Sequence, residues 1–173
     1  MIVEQQVSVA AAASIWGRLE AGLGEVTAEA LLARPPEALL AYGLSRNKAR
    51  YVTALARSLE NNVIDFNSLK NMDDATATAS LVALQGVGRW TAETYLMFCE
   101  GRMDVFPGGD VALQEAMRWA DRAELRPTEK TAYLRAERWR PYRGVAAHLL
   151  WACYGAVRRG EIAPIYPSAS SSA

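Results

Sequence analysis

The stretch that most constrains this 173-residue chain runs from Leu84 to Asp110, LQGVGRWTAETYLMFCEGRMDVFPGGD. Gly86-Val87-Gly88 permits a turn that side chains would block, set between two segments of helical apolar period. Such a turn at a helix start leaves backbone N–H groups pointing outward, where the helix dipole also favours an anion. A phosphate is one natural occupant, and a plain helix–turn–helix corner is the other reading of the same spacing. The helix that follows carries Trp90, and a second glycine turn, Gly108-Gly109, presents Asp110 at the start of another helix.

The rest of the chain reads as helical scaffold. Ile2, Val3, Val7, Ala10, Ile15 and Leu19 predict a first helix over 2–21, ended by Gly22 and Gly24. Thr27 caps a short helix through Ala33, Pro36 opens another closed by Gly43, and Ser45 caps a longer one. Residues 61–71 are a polar connection anchored by Ile64, Phe66 and Leu69. Asp73 or Asp74 starts the helix that leads into the glycine hairpin, and a helix over about 89–100 leaves it. Further helices are predicted from Asp110 to about Asp121, from Pro127-Thr128 through Trp139, and from Pro141 to about Arg159. No stretch alternates with period two over strand length, so the fold class is all-α. The domain reading is 1–163, with the small, polar, proline-punctuated 164–173 as a disordered tail.

Charge excludes little. The formal net charge is zero, but residues 1–88 carry seven basic and nine acidic side chains and residues 89–173 carry twelve and ten. Eleven of those twelve are arginine, the side chain suited to forked phosphate contacts, although surface arginines are more often simply solvated. Cys99, Cys153 and the lone His148 cannot assemble an iron–sulfur or zinc site, which leaves two buried thiols in a reducing compartment. His148 reads as a packed side chain. No basic leader precedes an apolar run and no run reaches membrane-spanning length, so a cytoplasmic protein is expected.

Three motifs in fixed order carry a family resemblance: Leu84 through Ala92, Asp104-Val105-Phe106-Pro107 with Asp110, and Trp139-Arg140-Pro141-Tyr142-Arg143 through Trp151. Together with Glu4-Gln5-Gln6-Val7-Ser8, they resemble the helix-hairpin-helix DNA glycosylase superfamily. Within it the chain is most similar to the alkylation-repair branch, DNA-3-methyladenine glycosylase II, the AlkA type. The resemblance spans roughly residues 2–160 and implies two helical lobes with an active-site cleft between them. No four-cysteine cluster follows the Asp110 helix, which disfavours the iron–sulfur branches. The chain begins at the Gln-Gln segment, whereas relatives have further sequence before it, so two readings stand: a minimal form, or one that lacks the family's upstream part.

The resemblance assigns roles residue by residue. Asp110 matches the catalytic aspartate. Independently, breaking an N-glycosidic bond develops positive charge on the sugar, which a fixed carboxylate stabilises, while a simple N-cap is the competing reading of Asp110. Asp104, before an apolar pair, is the rival carboxylate. Trp90 stands where bifunctional members carry a Schiff-base lysine, so no lyase step of that type is expected. Trp90 and Trp151 suit a pocket for a flipped, electron-poor alkylated base, or else core packing, which is the reading for Trp16, Trp119 and Trp139. Thr94 occupies the position of the branch's pocket tyrosine, with Tyr95 one residue on. Gly86, Val87, Gly88, Arg89 and Arg143 would grip phosphates. Gln6 matches the side chain that fills the space vacated by the flipped nucleotide, although Gln5 and Gln6 could equally face solvent at a helix start.

No cofactor is required by the resemblance; the family's hairpin holds a monovalent cation, Na+ or K+, through backbone carbonyls that would correspond to those of Val82, Leu84 and Val87. The implied protein is a monomeric, nucleoid-associated, monofunctional glycosylase. It would act on double-stranded DNA containing damaged bases and release alkylated purines such as 3-methyladenine. The alternatives are a glycosylase for another lesion, such as hypoxanthine or a deaminated base, and a non-enzymatic DNA-binding module.

Overall fold

The computed structural model describes residues 1–164, and the predicted disordered tail falls, apart from Pro164, outside them. Among the described residues every regular element is helical. The chain folds as two compact units, residues 1–92 and the part from Glu93 onward.

In the first unit, α1 (Val9–Leu23), α2 (Ala28–Leu32), a 3-10 helix (Pro36–Tyr42) and α3 (Arg46–Glu60) surround one core. That core holds Val3, Ile15, Leu19, Leu31, Leu39, Leu44, Ala49 and Ala56. Burying each leucine fully stabilises the unit by about 1.5–3 kcal/mol. Ser8, Thr27 and Ser45 each accept a hydrogen bond from the backbone N–H three residues on, so all three helices start where a hydroxyl can cap them. The amphipathic pattern of α3 turns Ala49, Thr53 and Ala56 inward. Then α4 (Phe66–Leu69) interrupts the predicted polar connection, capped by Asp65, and α5 (Asp74–Val82) is capped by Asp73.

The predicted helix over 2–21 is too long at its start. Residues 1–7 form turns, with Glu4 N–H on the Met1 carbonyl and Gln5 N–H on that of Ile2. Gln6 then adopts φ +56°, which no right-handed helix can accommodate, and Ser8 begins α1 afresh. Ile2 and Val3 are buried all the same, so their apolar period reported burial and not helix.

The second unit continues α6 (Arg89–Phe98) into α7 (Val111–Ala120), α8 (Glu129–Ala136), a 3-10 turn (Glu137–Trp139) and α9 (Arg143–Arg158). Leu96, Leu113, Ala116, Met117, Ala132, Ala136 and Ala147 are essentially inaccessible. Trp119 on α7 stacks on Tyr154 of α9 at 5.6 Å between ring centroids. Trp139 lies against Phe106 and beneath the Arg135 guanidinium. Trp16, by contrast, is 44% exposed, so it is not the core residue its apolar ring implied. The helix predicted through Trp139 breaks after Ala136, and the last helix starts at Arg143 and not at Pro141.

Candidate nucleic-acid and catalytic site

The hairpin is built by the end of α5 and the start of α6. Val87 N–H closes the turn on the Leu84 carbonyl at 3.1 Å, and Gly88 contributes the first carbonyl of α6, accepting from Ala92 N–H at 3.0 Å. Gly86 is required twice: its φ is +86°, and a Cβ there would collide with the ring of Tyr51 on α3. Around Gly88 a Cβ would meet nothing within 4 Å, so the backbone there lies open. The first N–H groups of α6 have no partner within the helix, and they face the side where the helix dipole favours negative charge.

Gln5 braces this turn, a role its sequence position did not reveal. Its Nε2 donates to the Gly86 carbonyl and to Thr91 Oγ1, both at 3.1 Å. Gln6 is exposed at the tip of the N-terminal turn. It does not start a helix. Val82 is the last residue of α5, whose dipole is negative at that end, and Leu84 and Val87 follow in the turn before α6. Leu84 O accepts from Val87 N–H, and as a carbonyl it keeps a second lone pair.

The second unit places a carboxylate on a buried turn. Val105, Phe106, Pro107 and Gly108 are all buried. Asp110 N–H reaches the Pro107 carbonyl at 2.9 Å, and the buried Gln114 amide holds the Gly108 carbonyl at 2.8 Å. The ring of Tyr133 covers Gly108, where a Cβ would lie 3.0 Å from it, and its hydroxyl donates to the buried carboxylate of Glu93. Asp110 is half-buried. Its Oδ1 accepts the Leu113 N–H at 2.9 Å as N-cap of α7 and the Trp151 indole N–H at 3.1 Å. Capping and the approach of the predicted pocket tryptophan therefore coexist on one oxygen.

Trp151 belongs to an aromatic cluster. Phe98, 55% exposed, stacks on it at 5.5 Å. His148, also exposed, sets its ring edgewise to Phe98 at 5.0 Å and to Trp151 at 5.9 Å. His148 is therefore not a packed core histidine. Phe98 went unremarked in the sequence because an apolar residue at the end of a helix carries no local sign of a partner on α9.

The other predicted residues are more dispersed. Trp90 is 39% exposed at the second position of α6, and Arg89 is exposed beside it. Thr94 is buried and Tyr95 half-buried. Burial pushes the Tyr95 phenol up, reinforced by Glu100 and Cys99. Cys99 is exposed and Cys153 half-buried, against the expectation of two buried thiols.

Arg143 departs furthest from its expected role. It grips Asp104 through Nε and Nη2, both at 2.9 Å, and Glu137 through Nη1 at 2.6 Å. The guanidinium is thus committed to fastening the 102–104 loop to the start of α9, and it is not a free phosphate grip. The rival carboxylate, Asp104, is thereby ion-paired with Arg143.

The family described as HhH-GPD superfamily base excision DNA repair protein matches residues 1–141. A putative DNA-3-methyladenine glycosylase of Bacillus subtilis, YfjP, is 29% identical over 107 residues, which is 62% of this chain and 37% of that protein. The chain thus spans little over a third of that relative's length. The solved DNA-3-methyladenine glycosidase of Bacillus halodurans is 34% identical with a TM-score of 0.81, covering 91% of this chain and 74% of the other. A Schizosaccharomyces pombe 3-methyladenine DNA glycosylase, solved in complex with abasic DNA, shares the fold at 24% identity and a TM-score of 0.79, over 94% and 78% of the two chains. Among the described residues no helix is long and apolar enough to cross a membrane, and no group of three His, Cys, Asp or Glu side chains could hold a metal.

Proposed function

Because the chain belongs to the HhH-GPD superfamily of base excision DNA repair proteins, we propose that it is a monofunctional glycosylase that removes alkylated purines from double-stranded DNA. The observation that carries this reading is Asp110, whose Oδ1 is pinned by the Leu113 N–H and the Trp151 indole N–H. A carboxylate held in this way needs no reorganisation when positive charge appears nearby, and that is how electrostatic catalysis lowers a barrier.

In the reaction the bond from the sugar C1′ to the base nitrogen breaks with its electrons going to the base. Water then adds to C1′ and loses a proton. Asp110 stabilises the sugar while it is cationic. An N-alkylated purine is itself cationic, so it leaves readily and gains from stacking on an indole face such as that of Trp151. The names of the relatives, which are 3-methyladenine glycosylases, support this substrate class. Trp90 offers no amine for a Schiff base, so the product is an abasic site in an unbroken strand.

The turn from Gly86 to Gly88, open at Gly88 and followed by Arg89, would seat a DNA phosphate, and Gln6 would occupy the space of the flipped base. The carbonyls of Val82, Leu84 and Val87 would hold the Na+ or K+ ion, whose charge would add attraction for that phosphate.

The test is base release from alkylated duplex DNA, with alkali revealing abasic sites. Asp110→Asn should slow release on the order of 10²–10³-fold while affinity for the same DNA stays within about twofold. Undiminished release by that variant would overturn the assignment.

A further inference from the structure

Residues 1–7 lie outside any helix, yet they are tied down at two points. Lys48, on the first turn of α3, is only 9% exposed and donates Nζ to the Val3 carbonyl at 2.7 Å. Among the described residues no carboxylate pairs with it. A buried ammonium is costly to desolvate, and a methionine would fill a similar volume without that cost. What the lysine contributes is therefore its grip on the carbonyl. Two residues later Gln5 is bonded to Gly86 O and Thr91 Oγ1. Beyond that tie Gln6 takes φ +56°, a conformation unfavourable for a residue with a Cβ, and Ser8 then fixes the start of α1.

The exposed Gln6 is thus held from three directions: by α3 through Lys48, by the hairpin through Gln5, and by α1 through Ser8. We propose that Lys48 and Gln5 are positioning residues that fix Gln6 in register with the phosphate-seating hairpin, so that its amide enters the helical stack opposite the orphaned base. This rests on the glycosylase reading. The tie has a geometric reason: a side chain that replaces a flipped base must sit at one height relative to the phosphate the hairpin holds. Gln5 bonds to Gly86 itself, so seat and wedge share one reference point.

The experiment compares single-turnover release of one alkylated purine from two duplexes. In the first the base is paired. In the second it lies in a one-nucleotide bulge and has no partner to leave. Lys48→Met should slow release from the paired duplex about tenfold and from the bulge less than twofold. In a Gln6→Ala background the same change should add nothing, since the two act through one element. Gln5→Leu, which leaves the buried ammonium untouched, should repeat the pattern if Lys48→Met does not fold.

Equal loss on both duplexes, full additivity with Gln6→Ala, or no loss on the paired duplex would each overturn the proposal. Wild-type protein that releases base from neither duplex would overturn the glycosylase reading beneath it. Wild-type release with any of the former outcomes overturns this proposal alone.

Discussion

At the hairpin the surface proposed to meet DNA is main chain: Gly86 is left-handed beneath Tyr51, and a Cβ on Gly88 would meet nothing within 4 Å. At the Asp110 loop the main chain is buried from Val105 to Gly108, with Gln114 holding the Gly108 carbonyl, and the group proposed to act is a carboxylate that accepts from the Leu113 N–H and the Trp151 indole N–H. Anion binding needs several donors in a small arc, which successive backbone N–H groups provide where glycine lets the chain turn tightly. Stabilising a sugar cation needs one charge at one point, which a carboxylate provides if its rotamer is fixed. The two places should therefore fail differently when altered.

Gly86→Ala should be the more damaging change. The new Cβ meets Tyr51 and the backbone is left-handed, so a loss of about 2–3 kcal/mol of stability is expected, read from denaturant melts. Affinity for undamaged and alkylated DNA should fall together. A selective loss for alkylated DNA would contradict the division of labour. Trp151→Phe should do the reverse. It keeps a ring against Phe98 and removes the N–H from Asp110, so release should slow about tenfold, near 1.4 kcal/mol, with stability and affinity little changed. An unchanged release rate would mean that the Leu113 amide suffices to hold the carboxylate.

What the sequence made legible follows the same line. Helix starts at Thr27, Ser45, Asp73 and Thr128, and the glycine hairpin, depend on chemistry within four residues, so reading the chain locally found them, whereas the start at Ser8 was hidden by the apolar period of the buried residues before it. Gln5 on Gly86, Lys48 on Val3 and Phe98 on Trp151 join residues 45 to 81 positions apart, and nothing local marks them. Arginine counts were uninformative for a related reason. Arg102, Arg118, Arg135, Arg140, Arg143 and Arg159, all in the arginine-rich half, are paired with carboxylates. Composition records both charges but not their meeting. Asp110 was legible as either cap or catalyst because one residue type serves both, and the structure shows the cap with the indole N–H already on the same oxygen.

The smallest effect is expected at Arg143, the predicted DNA contact that is paired with Asp104 and Glu137. Burial alone would raise the Asp104 carboxyl, but hydrogen bonds and charge from Arg143, with Arg140 behind, outweigh it and hold it below its ordinary value of 3.8. A lowered carboxylate contributes stability that is fully present above the unfolded value and is lost as pH falls through the folded one. The pair is partly exposed, so solvent screening keeps this to about 1 kcal/mol or less. Melting temperatures of wild type and Asp104→Asn should therefore differ by a constant few degrees from about pH 7 to pH 5 and converge below about pH 3.8. A gap that persists in strong acid would mean that Arg143 fastens the loop through packing and its bond to Glu137, with the charge on Asp104 incidental.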